Sequence, residues 1–166
     1  MSQDLPEFPI VELESDFPEQ IGQMGLFEYL MPVGSTGIIF IAEVPGRLEE
    51  WGVYFSEPVK HISKLRAAST LAQMGIIRGE LFAFLRESLR LTQADIATMD
   101  GVSLETVQGW EDNSIPIPID AWGSLASQVC SRDGRIAPTE YSMTPDFRPR
   151  RIRVFPNIPT RSRIAR

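Results

Sequence analysis

The pattern of apolar and polar positions divides the chain into a β-rich first part and a helical second part. Gly37-Ile-Ile-Phe-Ile-Ala-Glu-Val44 and Trp51-Gly-Val-Tyr-Phe55 are dense in β-branched and aromatic residues, which suit a pleated, half-buried surface. They predict a β-hairpin, with Pro45-Gly46 marking the turn region between them. Gly25-Leu-Phe-Glu-Tyr-Leu-Met31 reads as a third strand or a short helix, because so short an apolar run has no decisive period. A lone hairpin is marginal in water, so its apolar face must cover something.

The period then changes. Ser56-Glu57-Pro58 predicts a helix start, with the proline in the first turn, where a missing N–H costs nothing. Val59, Ile62, Leu65, Ala68 and Leu71 recur every three residues and define one helical face, and Gly75 is a natural stop. A second helix is predicted over residues 78–90, where Leu81, Leu85 and Leu89 stack four apart with Phe84 beside them. No internal repeat at solenoid spacing is present.

The next stretch, LTQADIATMDGVSLETVQGWEDN over residues 91–113, places its residue types where two helices joined by a tight turn need them. Ile96 points to the core and Ala97 is small enough for close helix approach. Gly101 suits a left-handed turn position. Val102 closes the turn, and Ser103 is a good N-cap for the following helix. Val107 and Trp110, three apart, return to the same core face.

LRESLRLTQADIATMDGVSLETVQGWEDNSIPIP resembles the Cro/phage-repressor class of helix-turn-helix domains, the XRE family, over about residues 78–129. The resemblance implies five short helices, the last over residues 118–129, with residues 103–111 forming a helix that enters the DNA major groove. It implies a structural ion pair between Arg86 and Glu111. It also implies contacts to phosphate by Thr92 and Gln93, and to the DNA by Ser103, Glu105, Thr106 and Gln108. Gln108 has the groups to read adenine, and Glu105 to accept from cytosine N4. The alternative for these positions is an ordinary solvated helix surface, and for Ser103 a cap alone.

Charge changes this picture. The net charge of −6 is unevenly spread: residues 1–60 hold eleven acids against Arg47 and Lys60, and residues 141–166 hold seven arginines against Asp146. Between Arg90 and Arg132 there is no base, while Asp95, Asp100, Glu105, Glu111, Asp112 and Asp120 fall in that interval. Phosphate neutralisation supplies most non-specific DNA affinity, so the helix-turn-helix alone is expected to bind DNA weakly. The arginine tail is the candidate source of the missing charge, with Arg148, Arg150, Arg151 and Arg153 as DNA contacts. Equally, a +6 tail can dock on its own acidic protein or on a neighbour, and Arg151-Ile-Arg-Val-Phe155 alternates like an edge strand.

Other chemistry is sparse. His61 and Cys130 are the single histidine and cysteine, so the usual metal-ligand clusters and histidine-based triads are not expected. No cofactor, small-molecule substrate or enzymatic activity is expected. No apolar run approaches the ~20 residues of a membrane span, and the acidic, proline-broken start does not read as a signal peptide. The cytoplasm is the expected location.

The expectation is therefore an α+β protein: an acidic arm over residues 1–25, without regular structure, and a small β-hairpin module with a linking helix over 26–75. An all-α repressor-like helix-turn-helix domain follows over 76–131, then an extended basic C-terminal arm over 132–166. The leading function is a DNA-binding transcriptional regulator of repressor or antitoxin type, acting on double-stranded DNA as a homo-oligomer. The alternative is a structural or assembly protein, for example a virion component, that keeps the helix-turn-helix as a packing unit and binds protein neighbours through its charged arms.

Overall fold

The computed structural model describes residues 11–13, 19–34, 37–142, 152–154 and 160–162. In chain order the elements are β1 (Val11–Leu13), β2 (Met24–Val33), β3 (Gly37–Glu49), β4 (Gly52–Tyr54), α1 (Glu57–Gln73), α2 (Gly79–Ser88), α3 (Gln93–Asp100), α4 (Leu104–Glu111), α5 (Ile119–Arg132), β5 (Ile152–Val154) and β6 (Thr160–Ser162). The fold is mixed α and β, with a four-stranded sheet and five helices among the described residues.

The sheet is built on β3. Strand β2 pairs with it antiparallel from Met24↔Arg47 to Val33↔Gly37. Strand β4 pairs antiparallel at Arg47, Leu48 and Glu49, and β5 pairs parallel at Ile39, Phe40 and Ile41. Residues 25–31 are thus strand. The position of Pro45-Gly46 corrects the sequence reading, because the pair lies inside β3, with Pro45 opposite Leu26. Among the described residues, the strand between Ile41 and Arg47 has its sheet partner on the β2 side only, so a proline that cannot donate to a second neighbour is tolerated. Gly46 is required by packing: a Cβ there would lie 2.7 Å from Val53 Cγ1 and 2.9 Å from Phe55 Cε1. One residue earlier the ladder slips, Phe27↔Val44 being followed by Tyr29↔Ile41. Glu43, at φ 56°, sits in the extra step as a β-bulge that bends β3.

Helix α1 begins after Ser56 with Pro58 in its first turn. Val59, Ile62, Leu65, Ala68 and Leu71 are all buried, and so are Ser63, Ala67, Ser69 and Ala72. Burial over more than one stripe makes α1 a central helix that packs on α2, α5, β3 and β5. Its small residues permit that close approach. One hydrophobic cluster accordingly runs from Met31 in β2 through α1, α2, α4 and α5 to Val154 in β5. Across it Trp110, Phe82, Trp122 and Tyr141 form a chain of ring contacts with centroids 5.8, 6.4 and 6.4 Å apart. Trp122 is fully buried, and its removal to alanine carries the ~3–5 kcal/mol typical of a core tryptophan.

Residues 1–25, expected to lack regular structure, contribute β1 and the start of β2. Residues 132–166, expected as an extended arm, are held to the fold at several places, with Gln73 donating to the Ile136 carbonyl at 2.6 Å and Arg135 to the Thr70 hydroxyl at 3.2 Å. Ser142 exchanges backbone hydrogen bonds with Gly75 and Ile77 at 2.7 and 3.0 Å. Strand β5 joins the sheet, and β6 pairs parallel with β1 from Val11↔Thr160 to Leu13↔Ser162. The backbones of the acidic head and the arginine tail therefore meet. No described helix is long and apolar enough to cross a membrane.

Candidate interaction face of the helix-turn-helix

Each bend of the α3–turn–α4 unit has a local cause. Thr92 caps α3: its hydroxyl accepts from Asp95 N–H at 3.1 Å while the Asp95 carboxylate accepts from Thr92 N–H at 2.7 Å, a reciprocal capping box. The Thr92 backbone N–H, and after it the Thr92 hydroxyl, hold the Asp95 carboxyl below its ordinary pKa. Gly101 ends α3 at φ 65°, ψ 35°, where a Cβ would be strained although nothing lies within 4 Å. Ser103 caps α4 by accepting from Thr106 N–H at 3.1 Å, and its hydroxyl is 2.8 Å from that of Thr106. Ile96, Ala97, Val107 and Trp110 are buried beneath the unit.

Arg86 and Glu111 bolt this unit to α2. Arg86 donates to both carboxylate oxygens of Glu111, Nε at 2.6 Å and Nη2 at 3.1 Å, and to the Leu91 carbonyl at 2.8 Å. Gln93 donates to Glu111 at 2.8 Å, so its side chain is engaged within the protein. The start of α2 rests directly on the end of α4, since a Cβ at Gly79 would collide with the backbone oxygens of Trp110 and Glu111. Asn113, in the left-handed conformation at φ 64°, completes the joint by accepting from Gly79 N–H at 2.8 Å and donating to Glu80 at 2.9 Å.

The outer surface is acidic and partly apolar. Glu105, Gln108 and Asp112 are exposed, and Asp112 accepts from Ser114, which lowers its carboxyl pKa. Ile115 folds back over Gly109, its N–H donating to the Gly109 carbonyl at 3.0 Å, and its side chain fills the space a Cβ would need. Ile115 remains 40% exposed, and Leu104 and Met99 are 39% and 50% exposed. Beside this surface lies a groove of about 440 Å³. Its walls come from Pro32 and Gly34 at the tip of the β2–β3 hairpin, from Glu80, Ala83, Phe84 and Glu87 on α2, and from Gln93, Gln108, Glu111 and Asp112. Among the described residues no lysine or arginine lines it.

Of the tail arginines, Arg148, Arg150 and Arg151 lie outside the described residues. Arg153 is on β5, its side chain 66% exposed and 3.4 Å from Glu28 of β2. Residues that sequence reading missed are the hairpin tip at Pro32, Asn113 and Ile115. An asparagine after a helix is a recognisable left-handed position, and Gly109 is a signal for close approach. The hairpin tip has no local signal. Among the described residues no group of three His, Cys, Asp or Glu is placed to hold a metal. His61 is half-buried on α1 and its pKa is lowered, first by burial and then by Arg90, Arg132 and Lys64.

No family model matches the chain, and no curated protein or solved structure shows a significant match to it.

Proposed function

We propose that the chain is a protein-binding component of an assembly, a virion being one setting, in which the helix-turn-helix serves as an interaction unit. The observation that carries this reading is the chemistry of the α3–α4 surface. It presents Asp95, Asp100, Glu105 and Asp112 with the exposed side chains of Met99, Leu104 and Ile115, and has no base between Arg90 and Arg132. A DNA duplex brings about one negative charge per 1.7 Å of axis, and neutralising it is the main source of affinity. This surface opposes that charge. A protein partner gains instead from covering the apolar side chains and from placing cations near the acids.

A second reading is favoured by the helix–turn–helix geometry itself. Here α4 reads duplex DNA as a transcriptional regulator, with Thr92 and Gln93 toward phosphate and Ser103, Glu105, Thr106 and Gln108 outward. Arg148, Arg150, Arg151 and Arg153 would then supply the charge. Three engagements weigh against it: Gln93 with Glu111, Ser103 with Thr106, and Arg153 with Glu28. The two readings separate in an NMR titration of the labelled chain with mixed-sequence duplex DNA at low salt. The assembly reading expects the amides of residues 103–112 to keep their shifts. Perturbations concentrated there would overturn it.

A further inference from the structure

The groove between the hairpin tip and α2–α4 has a form that goes beyond a patch of acids. Its floor includes Phe84, 4% exposed, with Ala83, and one wall is Pro32. Above that apolar floor stand the carboxylates of Glu80, Glu87, Glu111 and Asp112. Three of them are balanced from elsewhere in the fold: Glu80 by Arg78 at 3.3 Å, Glu87 by Lys64 at 3.0 Å and Glu111 by Arg86. Among the described residues Asp112 receives hydrogen bonds from Ser114 and no paired cation. Lys64 already lies over the Phe84 ring at 5.2 Å, and the groove fits a further long cationic side chain whose methylenes lie against Pro32 and Ala83 while its charge reaches Asp112 on the acidic rim. The rim faces open solvent at Gln108 and Asp112, which are exposed.

The same chain carries the complementary chemistry. Seven arginines fall in its last nineteen residues, interleaved with proline, isoleucine, valine and phenylalanine. One of them, Arg153, lies on β5 with its side chain 66% exposed and 3.4 Å from Glu28 of the same chain, which leaves the other arginines as the ones for a partner. The planar guanidinium forms paired hydrogen bonds to carboxylates.

We infer that the groove receives the arginine-bearing C-terminal stretch of a second copy of this chain, so that copies join head to tail. This rests on the assembly reading and names its partner. The two surfaces differ, so the contact is heterologous and leaves a free groove on one copy and a free tail on the other. Further copies add at those ends, and the contact weakens as salt rises because its charges lie at an exposed rim.

The test is sedimentation velocity of the full chain at low and high salt, with two charge-reversal variants. One is E87K/D112K in the groove, and the other is R148E/R150E/R151E in the tail. Wild-type chain is expected to self-associate at low salt and to dissociate at high salt. Each variant alone is expected to associate about tenfold more weakly or worse. An equimolar mixture brings one intact groove to one intact tail, and is expected to regain association that neither variant shows alone. The milder E87Q/D112N, checked for native circular dichroism, is expected to weaken association in the same direction. A monomeric wild type at low salt, or variants that associate like wild type, would overturn the inference. The assembly reading has a separate failure, the DNA-induced shifts at residues 103–112.

Discussion

Removing Arg86 while leaving Glu111 in place tests how the helix-turn-helix is held. The Arg86 and Glu111 side chains are 12% and 11% exposed, and the guanidinium makes three hydrogen bonds, two to Glu111 and one to the Leu91 carbonyl. In R86M the methionine fills most of the aliphatic space, so the loss is mainly electrostatic. The Glu111 carboxylate keeps only the Gln93 amide, and Leu91 O loses its donor. Breaking one side of a buried pair costs about 3–5 kcal/mol. At ~2–4 °C per kcal/mol for a chain of this size, Tm should fall by roughly 6–20 °C. E111Q should be milder, since the amide keeps an acceptor for Arg86. The double variant R86M/E111Q should lose less than the sum of the two, with a coupling of ~1–3 kcal/mol. Thermal and urea unfolding of the four proteins gives the cycle. Burial also sets the salt response, because the coupling should persist when salt screens surface pairs. Single losses below about 1 kcal/mol that add and vanish in high salt would place the pair among ordinary surface ion pairs, and would refute the reasoning.

Other outcomes follow from the same geometry. G79A should destabilise by ~1–3 kcal/mol in urea unfolding, because the new Cβ meets backbone oxygens of α4 that have no rotamer to change. G101A has open space but the wrong φ, and should cost about 1–2 kcal/mol. His61 has a lowered pKa in the fold, so the unfolded chain binds its proton first as pH falls below 6.5. Its contribution to stability is present above that value and is lost as pH falls through the folded pKa; H61Q should flatten this part of the pH–stability curve. T92A should lose the α3 capping box and about 1 kcal/mol, read as faster amide exchange in residues 93–96.

The helical half was legible because its rules are local. Pro58, the spacing from Val59 to Leu71, the cap at Ser103 and the left-handed Gly101 each act within one or two turns of the chain, whereas the Thr92 capping box is a finding of the structure. The Arg86–Glu111 contact came from family resemblance, not from spacing. The sheet was harder to read. Pro45-Gly46 looks like a turn in isolation and becomes strand interior because β2 pairs along β3 from Gly37 to Arg47. Pairing of β1 with β6 joins opposite ends of the chain, and no periodicity within either segment encodes it. The candidate surface divides the same way. The missing bases could be read directly and Glu105 and Gln108 came from the family resemblance, whereas the shared lining of one groove by Pro32 and Gln108 depends on where the hairpin lands on α2 and α4.

The most direct measurement of the central claim is retention of mixed genomic DNA fragments by the purified chain across a salt series, with sequencing of what is retained. The account predicts no enriched sequence, and no retention beyond that of a synthetic peptide covering residues 148–166. Enrichment of one short palindrome, abolished by E105A/Q108A, would contradict it and make α4 a reader of DNA.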